Sequence, residues 1–294
     1  MLTEPVQLLQ RWAGSAMRSA VAGDDHLTAD ELASADDPGL FGPTSVAWKV
    51  HGDSAMFIGG LRSLLIQTLH PPTMAGVADH SDYKSDPWGR LHRTGRFIGA
   101  TTYGNTPTAS QLIETIRSVH ERVVGTTPQG VPYRANDPHL LQWVHITEVD
   151  SFLGAYQRYG EGRLTKRECD RYVAEMTEVG HRLGAVDLPT SVVSLQARLS
   201  EYRHECAYEA QAREAVRFLL FPPVALGLRG AYSIVAAASV TLLPRWAQRK
   251  MWIWVPPGVN TLAVRPAATL LTRTMGWLMD GTDDSPVHDL LMTS

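Results

Sequence analysis

Cysteine is almost missing from this chain: Cys169 and Cys206 are the only two in 294 residues. That excludes a disulfide framework and leaves no cysteine-based zinc or iron–sulfur site. An excess of positive charge is missing as well. Lys and Arg number 27 against 30 Asp and Glu, a formal charge of -3, so nucleic acid is not an expected partner. No apolar run is long enough to span a bilayer. Gly52–Leu69 is interrupted by Arg62, Gln67, Gly59 and Gly60 and stops before Pro71, and Ala231–Leu243 covers ~13 residues against the ~20 a spanning helix needs. Both read as buried helices. The opening MLTEPVQLLQRWAG has neither a basic leader nor a sustained apolar core, so no signal peptide is expected and the protein reads as soluble and cytoplasmic. Sustained period-two alternation is absent, and of the strand turns Asn-Gly and Asp-Gly only Asp280-Gly281 occurs. There is no internal repeat, no His-Glu-x-x-His, no Walker loop, no Gly-x-Ser-x-Gly and no Gly-x-Gly-x-x-Gly.

What remains is a helical text. Hydrophobic residues at 44% and charged residues at 19% suit a globular core. Residues 1–22 predict an amphipathic helix with Val6, Leu9, Trp12, Ala13 and Ala16 near one face. A polar, Asp-rich connection follows, then a helical turn at Val46–His51 and a helix from Ser54 that is apolar on most sides and stops at Pro71-Pro72. Asp137-Pro138 pairs an N-cap with Pro at the first helical position and opens a helix ended by Gly160. Thr165 opens another, ended by Gly184. One long helix is expected from Ser191 to Phe221, closed by Pro222-Pro223. Helices at Arg229–Leu243 and Arg245–Trp254 follow, and the pattern resumes after Pro256. The expectation is an all-α, single multi-helix domain over 1–294, of about ten helices.

The stretch Leu69–Gly125 is the least explicable as plain packing. A His-Pro break leads to a loop of small and charged residues, then WGRLHRTGRF, then a helix bearing His120. Leu112, Ile116, Val119 and Val123 fall on one helical face, and His120 lies within it. A neutral imidazole facing an apolar pocket suits a proximal haem ligand, and equally a core histidine satisfied by a carbonyl. His145, four residues from both Leu141 and Val149, is a second ligand, a pocket residue or a structural histidine. Arg90, Arg93 and Thr94 share a helix side, near Arg96. They can meet haem propionates or a bound dioxygen species, or form a solvated basic face. Two Glu-x-x-His units, Glu178–His181 and Glu201–His204, raise a di-iron carboxylate oxidase as an alternative. Their offset of ~10 Å along an antiparallel helix pair speaks against it. The run PRWAQRKMWIW can touch a membrane surface peripherally or turn its tryptophans inward.

The ordered series GGLRSLLIQTLHP, GVADHS, DPWGRLHRT, YG, VHERVVG and Tyr133-x-Ala-x-Asp-Pro with LLQWVH resembles the DUF2236 family. This is the family of the rubber oxygenase (latex clearing protein) and the MpaB-type oxygenases. The resemblance runs over about residues 43–255. It implies a helical fold with a globin-like core, a b-type haem (heme b, iron), and O2-dependent cleavage of carbon–carbon double bonds in isoprenoid-like chains. By position it makes His120 the axial iron ligand and matches Arg90, Arg93 and Thr94 to the family's Arg-x-x-Lys-Thr group at the haem; His145 stays a cofactor-pocket candidate from its apolar face alone. Arginine at 93 replaces a lysine that can act as a distal ligand, and a guanidinium does not deprotonate to ligate iron. The rubber branch's distal glutamate has no counterpart, although Asp79, His80 and Asp82 lie in that region. The resulting expectation is a haem-dependent oxidoreductase or oxygenase using O2 or peroxide on a small, apolar, intracellular substrate. A non-catalytic haem-binding or haem-sensing protein is the alternative in a different class.

Overall fold

The computed structural model describes residues 27–280, so the helix expected at residues 1–22 lies outside the described residues. The described chain is a mostly helical single domain. Its α-helices are α1 (Val46–His51), α2 (Met56–Gln67), α3 (Pro71–His80), α4 (Pro87–Tyr103), α5 (Thr106–Arg122), α6 (Pro138–Tyr159), α7 (Lys166–Leu183), α8 (Val192–Glu201), α9 (Ala210–Leu220), α10 (Leu226–Leu242), α11 (Arg245–Lys250) and α12 (Arg265–Asp280).

The centre is the pair α2 and α6. Both are buried along most of their length, as the all-round apolar pattern of α2 predicts. Close approach needs Gly59. A Cβ there would stand 2.8 Å from Phe152 Cδ1 and 3.1 Å from its Cα, so the glycine lets the two backbones meet. Arg62 then ties three helices together: Nη2 donates to Asp150 Oδ2 at 2.7 Å, Nη1 to Ser151 Oγ at 2.7 Å, and Nε to Leu242 O at 3.0 Å. Around this core, α10 and α12 cover one side, while α1, α7 and α8 cover another. The start of α7 is written locally, with Thr165 and Glu168 forming a capping box and Gly184 closing the C-terminus at φ 103°.

Three features depart from the expectation. The stretch after the His70-Pro71 break, expected as a loop, is helical over Pro71–His80, with Pro71 at the first helical position. Residues 124–134 form a short antiparallel hairpin, β1 (Val124–Thr126) with β2 (Pro132–Arg134), in the register Val124↔Arg134 and Gly125↔Tyr133. Three-residue strands are too short to display alternation. The long helix expected from Ser191 to Phe221 is broken. It stops at Glu201, passes through a 3₁₀ turn at Tyr202–His204, and restarts at Ala210. The cause is tertiary. Ala207 N is taken by Leu69 O at 2.7 Å, Cys206 O by Lys250 Nζ at 2.7 Å, and the Glu205 carboxylate by two histidines.

Candidate functional site

Proline-marked chain breaks open the helices of the first locus. Asp86 caps α4, accepting from Gly89 N at 2.9 Å, with Pro87 at the first helical position. Asn105 caps α5 in the same way. The two-residue connection Gly104–Asn105 makes α4 and α5 an antiparallel packed pair. Arg90 and His120 each lie about 20 Å along their helices from that connection, so the hairpin carries both to the same end.

His120 is half-buried. Its Nδ1 is sealed from solvent without a hydrogen-bond partner, and burial lowers the ring's pKa from the ordinary 6.5, keeping it neutral at neutral pH. The apolar face around it is narrower than the periodicity predicts: Ala109 and Ile113 are buried, Leu112 and Ile116 half-buried, and Val119 exposed. Arg90 is half-buried, and its guanidinium makes no hydrogen bond or ion pair among the described residues. Burial and the neighbouring Arg93 lower its pKa against the opposing effect of Tyr83. Arg93 and Thr94 are exposed, and Arg93 Nη1 pairs with Asp86 Oδ2 at 3.2 Å. Of the three residues expected to meet one ligand, Arg90 is the one drawn into the fold. Arg96 pairs with Glu31 at 2.6 Å.

A second locus was not legible in the sequence. His70, which caps α3 before Pro71, meets His139 from the first turn of α6 and Glu205 from the break after α8. Their ligand atoms all lie within 4.8 Å of one another, and among the described residues this is the one group of three His, Cys, Asp or Glu residues so placed. His70 Nε2 stands 3.2 Å and His139 Nε2 2.7 Å from the same Glu205 Oε2. Trp143 and Tyr202 wall the site: His139 stacks on Tyr202 at 4.5 Å, and Trp143 tilts against His70 at 5.7 Å. Burial alone would raise the Glu205 pKa, but hydrogen bonds from His139 and His70 hold it below the ordinary carboxylate value. Burial lowers His70, with Glu205 opposing. The signals that exist are a His-Pro and an Asp-Pro-His dipeptide junction, but the residues span 135 positions and share no spacing motif.

A third group lies in the interior. His51 bridges Thr102 Oγ1 at 2.7 Å and Tyr172 Oη at 2.9 Å, and burial pushes its pKa down to about 3. Glu148, half-buried on α6, interacts electrostatically with Tyr172; its carboxylate makes no hydrogen bond, and burial pushes its pKa up to about 7. One turn earlier, His145 is buried against Gly180 of α7, where a Cβ would stand 2.9 Å from the ring. Burial, with His181 adding to it, pushes His145 down to about 4. No hydrogen bond or ring contact joins His145 to His120. The two Glu-x-x-His units do not converge: Arg182 holds Glu178 at 2.6 Å, Arg198 holds Glu201 at 3.2 Å, and His181 and His204 are exposed.

Comparison with known proteins adds one finding. The family model described as "ER-bound oxygenase mpaB/B'/Rubber oxygenase, catalytic domain" matches residues 48–277, more than three quarters of the chain. No curated protein and no solved structure matches.

Proposed function

This chain belongs to the catalytic-domain family of the ER-bound oxygenase mpaB/B' and the rubber oxygenase, and on that premise we propose that it is a b-type haem-dependent oxygenase. Membership in an oxygenase family implies an enzyme. The substrates under this reading are O2 or peroxide and a small apolar molecule of isoprenoid-like character. A globin-like arrangement of the core belongs to the same proposal.

The observation that carries the haem reading is the sealed, unpartnered Nδ1 of a neutral His120. A buried polar nitrogen without a partner costs about 1–3 kcal/mol; a bond to iron there would offset that cost once the packing that seals the nitrogen opened to admit the group. Arg90 fits the same group from the facing helix, because a half-buried guanidinium without a counter-charge suits a propionate carboxylate. Bound haem would supply the activation of oxygen. With the group bound, His120 would present an unprotonated ring and Arg90 would pair with a propionate carboxylate. Arg93 and Thr94, both exposed, would act at the mouth of that site rather than beneath it.

Expression in haem-supplemented cells should yield protein with a Soret band and oxygen consumption on an apolar alkene. His120→Gly should lose the band, and added imidazole should restore it, which separates ligation from folding. A variant that kept the band at full intensity without imidazole would remove His120 as the ligand. A haem-binding protein without turnover would keep the band yet consume no oxygen.

Among the described residues no helix is long and apolar enough to cross a membrane. A peripheral contact is a further part of the proposal. Trp246 turns inward, with Arg203 5.6 Å from its ring, but Trp252 and Trp254 are 80% and 77% exposed beside the exposed Arg245 and Arg249. Paired interfacial tryptophans with cations suit an anionic lipid surface, which would also be a source of apolar substrate. Co-sedimentation with anionic vesicles, falling several-fold in Trp252→Ser/Trp254→Ser and absent with neutral vesicles, is the expected result. Equal sedimentation of both proteins would refute it.

A further inference from the structure

The hydrogen bonds behind the His70–His139–Glu205 cluster determine which ring nitrogen of His139 carries its proton. Gln142 Nε2 donates to Val186 O at 2.6 Å and Asp187 O at 3.1 Å, which turns Gln142 Oε1 toward Tyr202. Tyr202 Oη lies 2.8 Å from that Oε1 and 2.9 Å from the carbonyl oxygen of His139. Neither of these acceptors has a proton to give, so the single hydroxyl proton of Tyr202 is committed to them. The 3.1 Å contact between His139 Nδ1 and Tyr202 Oη is therefore one in which Nδ1–H donates. With its proton on Nδ1, a neutral His139 aims the Nε2 lone pair at a carboxylate oxygen 2.7 Å away. Two lone pairs at that distance require a cation between them, either an additional proton or a metal ion.

We propose that His70, His139 and Glu205 bind one first-row divalent transition-metal ion, at a site separate from the haem locus and independent of that reading. Two imidazole nitrogens and a carboxylate oxygen are the donor set of zinc and of non-haem iron(II) sites that keep open positions. Ligand atoms about 2.1 Å from an octahedral ion stand ~3.0 Å apart. The 2.7 Å and 3.2 Å contacts to Glu205 Oε2 bracket that separation, and the two ring nitrogens, within 4.8 Å of each other, must stand no more than ~4.2 Å apart to share one ion. Both rings have their other nitrogen held, His139 by Tyr202 and His70 by Thr73 Oγ1 at 3.0 Å, which orients Nε2 toward the ion. The His70 side is closed, at 2% side-chain exposure, whereas His139 is 50% exposed. The remaining positions therefore face solvent, where water or a small anionic ligand can complete the shell.

The test is a cobalt(II) titration of the full chain after chelator treatment, followed by visible d–d absorption. Cobalt(II) ion is not incorporated into porphyrin on this timescale, so the readout does not depend on haem. One equivalent bound by the wild type, lost in His139→Ala and in Glu205→Gln, is the expected result. Tyr202→Phe should weaken binding roughly 10–100-fold by freeing the His139 ring while leaving the three ligands in place. Zinc(II) should compete. His139→Ala, altered at a half-exposed position, should keep the wild-type far-ultraviolet circular dichroism and any Soret band. Absence of a saturable cobalt band in folded wild-type protein, or a band unchanged in His139→Ala, overturns the proposal and leaves a proton as the bridging cation. Loss of the Soret band in His120→Gly with the cobalt site intact would bear on haem alone.

Discussion

Arg62→Met is expected to destabilise the fold by about 3–5 kcal/mol, because it removes one partner of a buried ion pair and leaves the other charged. Asp150 would keep a carboxylate at 14% side-chain exposure with the guanidinium gone. Ser151 Oγ and Leu242 O would lose their donors at the same time, where α2, α6 and α10 meet. Gln196, which also donates to Asp150, cannot supply the missing charge. Urea unfolding followed by circular dichroism gives the loss directly from the midpoint at constant m. The double variant Arg62→Met/Asp150→Leu should recover much of it, since no uncompensated charge remains. A single variant within about 0.5 kcal/mol of wild type would show that Arg62 is not the tie among these helices.

Glu148→Gln is expected to act in the opposite direction and only in one pH range. The carboxyl rises from the ordinary 4.5 to about 7 on folding because burial disfavours its charge. Below about pH 4.5 the group is protonated in both states and costs nothing. Between 4.5 and 7 the unfolded chain gives up the proton first, so stability falls as pH rises. Above 7 the loss is complete, at up to about 3 kcal/mol from 1.36 kcal/mol per unit. Glutamine, neutral throughout, should therefore be more stable than wild type at about pH 8 by up to that amount and nearly equal at about pH 4. His51 and His145 are depressed to about 3 and about 4, so they favour the fold while neutral and lose that contribution as pH falls below 6.5. Their effect is common to both proteins, and the difference between the two pH profiles isolates Glu148. A difference that does not change with pH would mean the Glu148 carboxyl titrates normally.

The helical plan was legible because its signals are local. Asp137 before Pro138 opens α6, the Thr165–Glu168 capping box opens α7, and Gly184 closes it. Each of these acts within a few residues through a cap, a missing donor or a fixed φ. The half-buried position of His120 was legible in part, from its place among apolar residues. Its unpaired Nδ1 was not, because no pattern in one helix says what the facing surfaces will offer. The same holds for the division among Arg90, Arg93 and Thr94. They share a side at helical spacing, yet packing covers Arg90 and leaves Arg93 free to reach back to Asp86.

By itself, then, the sequence determined a helical oxygenase-family domain and most of its helix boundaries. The tertiary structure alone decided the meeting of His70, His139 and Glu205 and the partial burial of Glu148. Residues 191–221 show why. Their periodicity continues without a stop signal, so local rules extend the helix through Glu205. The observed break follows because Leu69, Lys250, His70 and His139 claim the backbone and carboxylate of residues 205–207. Those partners are distant in sequence, and their hydrogen bonds outweigh the few tenths of a kcal/mol per residue that helix propensity contributes there.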